Sequence, residues 1–162
     1  MAYLLDSNIF IQAKNLHYGF DFCPAFWDLL EQNNASACVY SIEKVRDELI
    51  GGGDELADWA KVRDAGFFLP PNNDTVRSLA QVSSWATGGG YEPGAVSQFL
   101  QVADYCLVAQ ALALGYVVVT HEVAANSVKK IKIPNACIAL GVKSMSPYEM
   151  LRTERARFVI GR

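Results

Sequence analysis

Four acidic residues stand where chemistry is possible. Asp6 closes the short apolar run AYLLD, and Glu122 follows the run YVVVT. Asp104 opens the apolar segment ADYCLVAQALAL, and Glu48 lies within SIEKVRDELI. A lone buried carboxylate loses its hydration and gains nothing unless a cation or a hydrogen-bond donor meets it. Several carboxylates brought together repel, and each raises the pKa of the others. A divalent cation relieves that conflict. Mg²⁺ and Mn²⁺ favour oxygen donors, and Mg²⁺ keeps part of its water shell, which leaves positions for a phosphate oxygen and an attacking water. No cluster of Cys or His is present to favour zinc.

These acids depend on the elements that carry them. Short apolar runs at 2–6, 36–40, 66–69 and 116–120, with a fifth near 142–145, read as strands buried on both faces. Helical patterns separate them at 8–14, 23–33, 41–50, 54–65, 73–86, 95–101, 103–114, 134–140 and 147–158. The alternation predicts a three-layer α/β/α sandwich around a central parallel sheet of four to five strands, formed by a single domain over 1–162. Ligands of such sheets bind beyond the carboxyl ends of the strands. Central positions for the first and fourth strands would bring Asp6 and Glu122 to one edge.

On the 41–50 helix, at about 100° per residue, Ile42, Val45 and Leu49 centre near 320° with Ile42 at zero. Glu48 falls near 240°, on the flank of that stripe, while Glu43 and Asp47 fall on the far side, near 100° and 140°. Glu48 is therefore the acid expected to face the protein body. The 103–114 helix is apolar almost all round and must be buried. Taken alone, Asp104 in its first turn equally fits a structural acid that complements the helix dipole. Together the four acids predict one cluster at one rim of the sheet.

Composition bounds the rest. With 51% hydrophobic and 19% charged residues, the chain is globular. No apolar run approaches the roughly 20 residues needed to span a bilayer. The N-terminus lacks the basic and long apolar regions of a secretory signal. Four scattered cysteines without a C-x-x-C pair point to a reducing, cytoplasmic setting. Net charge is −3, divided into −9 over residues 1–128 and +6 over 129–162. That basic end reads either as a phosphate-facing patch or as a solvated helix face. The segment TGGGYEPG at 87–94 reads as a surface loop near a site. Tyr18, Phe20, Phe22 and Trp27 fit base stacking, core packing or a partner groove.

LLDSN at 4–8, VRDEL at 45–49, ADYCLVAQALALG at 103–115 and VVVTHE at 117–122 resemble, in type and order, the motifs of PIN-domain nucleases, the fold of VapC-type toxins. IPNA and SPYEML resemble the closing segment of that family, so the likeness runs from residue 3 to about residue 151. It implies a metal-dependent endoribonuclease that hydrolyses RNA phosphodiesters, the toxin of a toxin–antitoxin pair. It further implies Mg²⁺ or Mn²⁺ held by Asp6, Asp104, Glu48 and Glu122, with Asn8 and Thr120 in support. A homodimer and a cognate antitoxin are implied as partners. Glu122 departs from the commoner Asp, and His121 has no place in the pattern. Lys14, Lys44 and Arg46, with the basic C-terminal end, are the candidate RNA contacts.

Two other readings stay open. A phosphotransfer domain would phosphorylate a strand-end Asp. The dehalogenase-like D-x-D is broken by Asn8, and a receiver would need a late lysine such as Lys143. A non-catalytic RNA- or protein-binding module on the same fold is the other.

Overall fold

The computed structural model describes residues 1–161. Its strands are β1 (Tyr3–Leu5), β2 (Val39–Ile42), β3 (Phe68–Leu69), β4 (Val117–Val119) and β5 (Ser144–Met145). They form one sheet in the order β3-β2-β1-β4-β5, with every pairing parallel. The helices are α1 (Ser7–Gln12), α2 (Pro24–Ala35), α3 (Glu43–Gly51), α4 (Glu55–Lys61), α5 (Asn73–Gly88), α6 (Pro93–Gln101), α7 (Ala103–Leu114), α8 (Ile133–Leu140) and α9 (Pro147–Thr153). This is the expected α/β sandwich with a parallel sheet. Among the described residues no helix is long and apolar enough to cross a membrane.

Tyr3, Leu4 and Leu5 are completely buried, as a central strand covered on both faces requires. The chain builds β2 and β3 on one side of β1, then returns to place β4 and β5 on the other. The direction of winding therefore reverses between β1 and β4, which is where open parallel sheets form crevices. α7 is buried along most of its length and ends at Gly115, whose φ of +70° a side chain would resist.

Some boundaries differ from the sequence reading. Ser41 and Ile42 belong to β2, paired with Phe68 and Leu69, and α3 starts only at Glu43. The preceding turn uses Ala37 in the left-handed region (φ 59°) to leave α2, which shifts the strand forward. The first helix continues past α1 as a π-helical turn, Ala13–His17. The last helix stops at Thr153 rather than 158. Arg155 takes a positive φ, and the Ala156 N–H bonds the Leu151 carbonyl at 2.8 Å, closing a Schellman turn without glycine. Beside that turn, the Tyr3 hydroxyl donates to Glu154 at 2.6 Å.

The aromatic stretch is largely packing. Tyr18 stacks on Phe26 with centroids 4.5 Å apart, and Phe20 stacks on Trp27 at 4.1 Å; Phe22 alone is 65% exposed. The 87–94 loop shortens to the turn between α5 and α6. There the Glu92 N–H bonds the Val128 carbonyl at 2.9 Å.

Candidate active site

Asp6 follows β1, and its N–H extends the ladder to the Val119 carbonyl at 3.0 Å. It is the N-cap residue of α1, yet its side chain caps nothing. The carboxylate turns instead into the crevice beside β4, where the residue is 3% exposed. Thr120 donates its hydroxyl to Asp6 Oδ2 at 2.8 Å, and the Ser7 hydroxyl lies 3.4 Å from Oδ1.

Thr120 is the hub of a small network. Its Oγ1 accepts the Glu122 N–H at 3.1 Å and the Asn8 side-chain amide at 3.4 Å. Asn8 in turn accepts the His121 N–H at 3.3 Å. With both amides donating to the oxygen, the single hydroxyl proton is directed at Asp6. Asn8 and Thr120 thus orient the carboxylate. The buried Ser41 hydroxyl adds a bond of 2.6 Å to the Leu5 carbonyl and fixes the end of β1 from the β2 side.

The acids sense one another. Burial pushes Asp6 up to about 7, with Asp104 and then Glu122 adding repulsion that the Thr120 hydrogen bond only partly offsets. Asp104 is the second residue of α7, within its first turn. Burial raises it to about 6, helped by Glu122 and Glu48 and opposed by Lys130. Asp6 and Asp104, separated by most of the chain, are therefore neighbours in one electrostatic unit.

Glu122 is partly committed. Its Oε2 accepts the N–H of Ile133, the first residue of α8, at 2.7 Å. The side chain, one methylene longer than Asp, reaches across the β4–α8 segment to satisfy a helix end that Lys132 does not cap. Glu48 is exposed on α3 rather than sunk into the body. With Ile42 in the strand, only Val45 and Leu49 hold the helix face, and Glu48 stands at the lip of a cavity of about 220 Å³. Asp104, Lys130, Gln98, Phe99, Val102 and Ile131 are among the residues that line it.

The expected cations divide. Lys44 lines a second hollow beside Glu48, Val102 and Cys106. Lys14 is paired with Asp54 at 3.0 Å. Arg46 donates to the Ala60 and Lys61 carbonyls at the end of α4, at 3.2 and 3.0 Å. Those two have structural partners and do not line the acid cavity. Lys130 and Gln98 do, and the sequence offered little to single them out: Lys130 was one of three lysines in KKIK, and Gln98 one polar residue on an exposed helix face. His121 packs with His17 and Tyr148, at centroid separations of 5.7 and 5.9 Å, on the other flank of Thr120. Burial and His17 lower its pKa.

A divalent cation suits this donor set by its chemistry. All four candidates are carboxylates, Asp6 and Asp104 are raised by burial and by neighbouring acids, and the residues lining the cavity at Asp104 include no Cys or His among those described. Among the described residues no three His, Cys, Asp or Glu side chains already close on one point. The arrangement is an acidic crevice rather than a finished cage.

A family model described as a domain of unknown function, DUF4411, matches residues 3–158. No curated protein matches the sequence significantly. Three solved structures share the fold, each covering 90% of this chain and 98% of its own. They are FitAcB from Neisseria gonorrhoeae (21% identity, TM-score 0.57) and VapBC-1 from nontypeable Haemophilus influenzae (14%, 0.55). The third is VapBC2 from Rickettsia felis bound to a DNA fragment from their promoter (17%, 0.53). At these identities the likeness establishes a PIN-like, VapC-like fold.

Proposed function

The chain belongs to the DUF4411 family, and we propose that it is a metal-dependent endoribonuclease, the toxin of a toxin–antitoxin pair. The carrying observation is the coupling of Asp6 and Asp104 where the sheet reverses its winding, with Asp6 buried and directed by Thr120. Asp6 is buried and caps no helix N–H, so capping does not account for the cost of placing it beside other acids. The VapBC neighbours support the toxin reading through the shared fold.

In this reading Asp6 and Asp104 would hold Mg²⁺ or Mn²⁺. Glu48, at the lip of the cavity, would join them as a ligand or orient the attacking water. Glu122 adds negative charge and, by capping α8, keeps the β4–α8 segment in place. When bound, the cation supplies Lewis acidity toward the phosphate and lowers the pKa of water at the site. Thr120 and Asn8 keep the Asp6 carboxylate from rotating. Water then needs no help from the RNA 2′-hydroxyl, so the products carry 5′-phosphate and 3′-hydroxyl ends. The four free cysteines fit a cytoplasmic setting. A cognate antitoxin and a second copy of the chain are the partners this reading includes.

The test is cleavage of total RNA with Mn²⁺ by the wild-type chain and Asp104→Asn, followed by mapping of fragment ends. Cleavage is expected to fall by about 100-fold or more in the variant, a loss on the scale of several kcal/mol of transition-state stabilisation. A 2′,3′-cyclic product, or cleavage indifferent to metal, would overturn the reading.

One observation favours a non-catalytic binding module: the Glu122 carboxylate is already engaged by the N–H of Ile133. Calorimetry with Mn²⁺ separates the two, because a non-catalytic module without the metal site binds none and loses none in Asp6→Asn. The phosphotransfer reading loses support from geometry. Lys143 precedes β5 and lines a hollow with Met1 and Val117, at the edge of the sheet opposite the acids.

A further inference from the structure

The cavity against Asp104 has a feature that metal binding leaves unused. Lys130 lines it together with Glu48 and Asp104, yet among the described residues it forms no ion pair within 4.0 Å. Its charge lowers the pKa of Asp104 without closing on it. A lysine that could collapse onto two carboxylates but stands off leaves a gap between opposite charges.

The backbone carrying Lys130 has no regular secondary structure, but it is braced on both sides of that residue. Glu122 bonds the N–H of Ile133 at 2.7 Å, closing the base of the segment. Asn135 exchanges two hydrogen bonds with Ala125, each 3.0 Å. The Val128 carbonyl accepts from Glu92 at the start of α6 at 2.9 Å. The next residue, Ile131, is 2% exposed and forms part of the cavity wall. The main chain of Lys130 is thus positioned before any ligand arrives, which reduces the ordering cost of binding.

Across the cavity α6 presents Gln98, exposed and uncharged, beside Phe99 and Val102. The cavity, of about 220 Å³, is open to solvent beside the acids. A carboxamide offers both donors and an acceptor, the pattern needed to read a base edge.

We propose that this cavity is a nucleotide subsite of the RNA substrate, in which Lys130 holds a phosphate and Gln98 reads the adjoining base against Phe99 and Val102. The inference rests on the nuclease reading and adds a grip on the strand to it. It assigns the RNA contact to Lys130 rather than to Lys14 or Arg46, whose side chains have structural partners. Lys130 is a positioning residue here, and the acids keep their roles.

The experiment measures anisotropy of a short fluorescein-labelled RNA with the full chain in EDTA, over a series of KCl concentrations. Lys130→Ala is expected to weaken binding about tenfold and to lower the slope of log K against log salt by about 0.7, the loss of one phosphate contact on a single strand. Lys130→Arg should restore most of the affinity. Lys129→Ala, outside the cavity, should change affinity by no more than about twofold. Gln98→Ala should flatten the difference among A, C and U homopolymers without a matching loss on mixed sequence. Mn²⁺ calorimetry on Lys130→Ala is the second readout. Unchanged RNA binding with tighter Mn²⁺ binding would make Lys130 a mere counterion and overturn the subsite. If that occurs while the wild-type chain cleaves RNA, the nuclease reading stands and only the subsite falls. If the wild-type chain neither binds nor cleaves RNA, both fall.

Discussion

Asp6 and Asp54 occupy the same kind of position and have opposite fates. Each is the N-cap of a helix, and each has extended backbone angles, φ −69° and ψ 154° for Asp6, φ −120° and ψ −168° for Asp54. Asp54 accepts the Ala57 N–H at 3.0 Å, pairs with Lys14 at 3.0 Å, and keeps 38% of its side chain in water. Its pKa is lowered by those partners. Asp6 leaves its helix uncapped, sinks to 3% exposure and is pushed up to about 7. Helix position therefore says little about whether an acid stabilises the fold. The surroundings decide it: one carboxylate has its needs met locally, while the other is buried against the charges of Asp104 and Glu122.

The sharpest way to probe this contrast is to neutralise each acid. Asp6→Asn should abolish Mn²⁺-dependent cleavage and yet stabilise the metal-free chain at pH 8. Because the folded state holds the Asp6 proton more tightly than the unfolded chain, the wild-type protein loses stability as pH rises from about 4 to about 7. Removing that penalty should raise stability by about 2–4 kcal/mol, or roughly 5–10 °C in Tm for a chain of this length, read by thermal melts with EDTA. Excess Mn²⁺ at pH 8 should raise the Tm of the wild-type chain and leave Asp6→Asn unmoved. A variant that melts lower than wild type in EDTA at pH 8 would mean that Asp6 is as structural as Asp54.

Asp54→Ala should do the reverse, costing about 1 kcal/mol through the lost cap and sparing catalysis. Its contribution is present above the unfolded pKa, near 4, and disappears as pH falls below it, because the folded-state pKa is depressed. Melts at pH 3 and pH 7 read this directly, with the difference between variant and wild type shrinking at pH 3.

Glu122 lies between the two cases, since it repels Asp6 and Asp104 while it caps α8. Glu122→Gln keeps an acceptor for Ile133 and should change stability by no more than about 0.5 kcal/mol. Glu122→Ala should cost about 1–2 kcal/mol through the unmet helix end. Equal melting of the two variants would show that the cap contributes nothing.

Much of this was visible in the residues. Doubly buried apolar runs mark parallel strands whatever surrounds them, so β1 and β4 were legible, and with them the edge where Asp6 and Glu122 emerge. The β2–α3 junction was less so. Ser41 and Ile42 fit a helix start as well as a strand end, and pairing with β3 decided the matter. Glu48 keeps its place on the flank of the Val45–Leu49 stripe, and it is exposed because that flank faces the cavity beside Asp104 rather than the core. The bonds of Lys14 to Asp54 and of Arg46 to α4 join separate elements, and no local pattern announces them. Lys130 and Gln98 line one cavity only because the β4–α8 segment folds against α6, a long-range event marked by the bond from the Glu92 N–H to the Val128 carbonyl.

The strand order β3-β2-β1-β4-β5 also governs when the crevice can exist. Its two walls come from distant parts of the chain: β1 leads into Asp6, while β4 leads into Thr120, 114 residues further on. A chain in which β1 is formed and β4 is not yet docked carries Asp6 on a strand with one flank bare. The crevice is therefore a product of long-range pairing, and any event that detaches β4 from β1 disperses it.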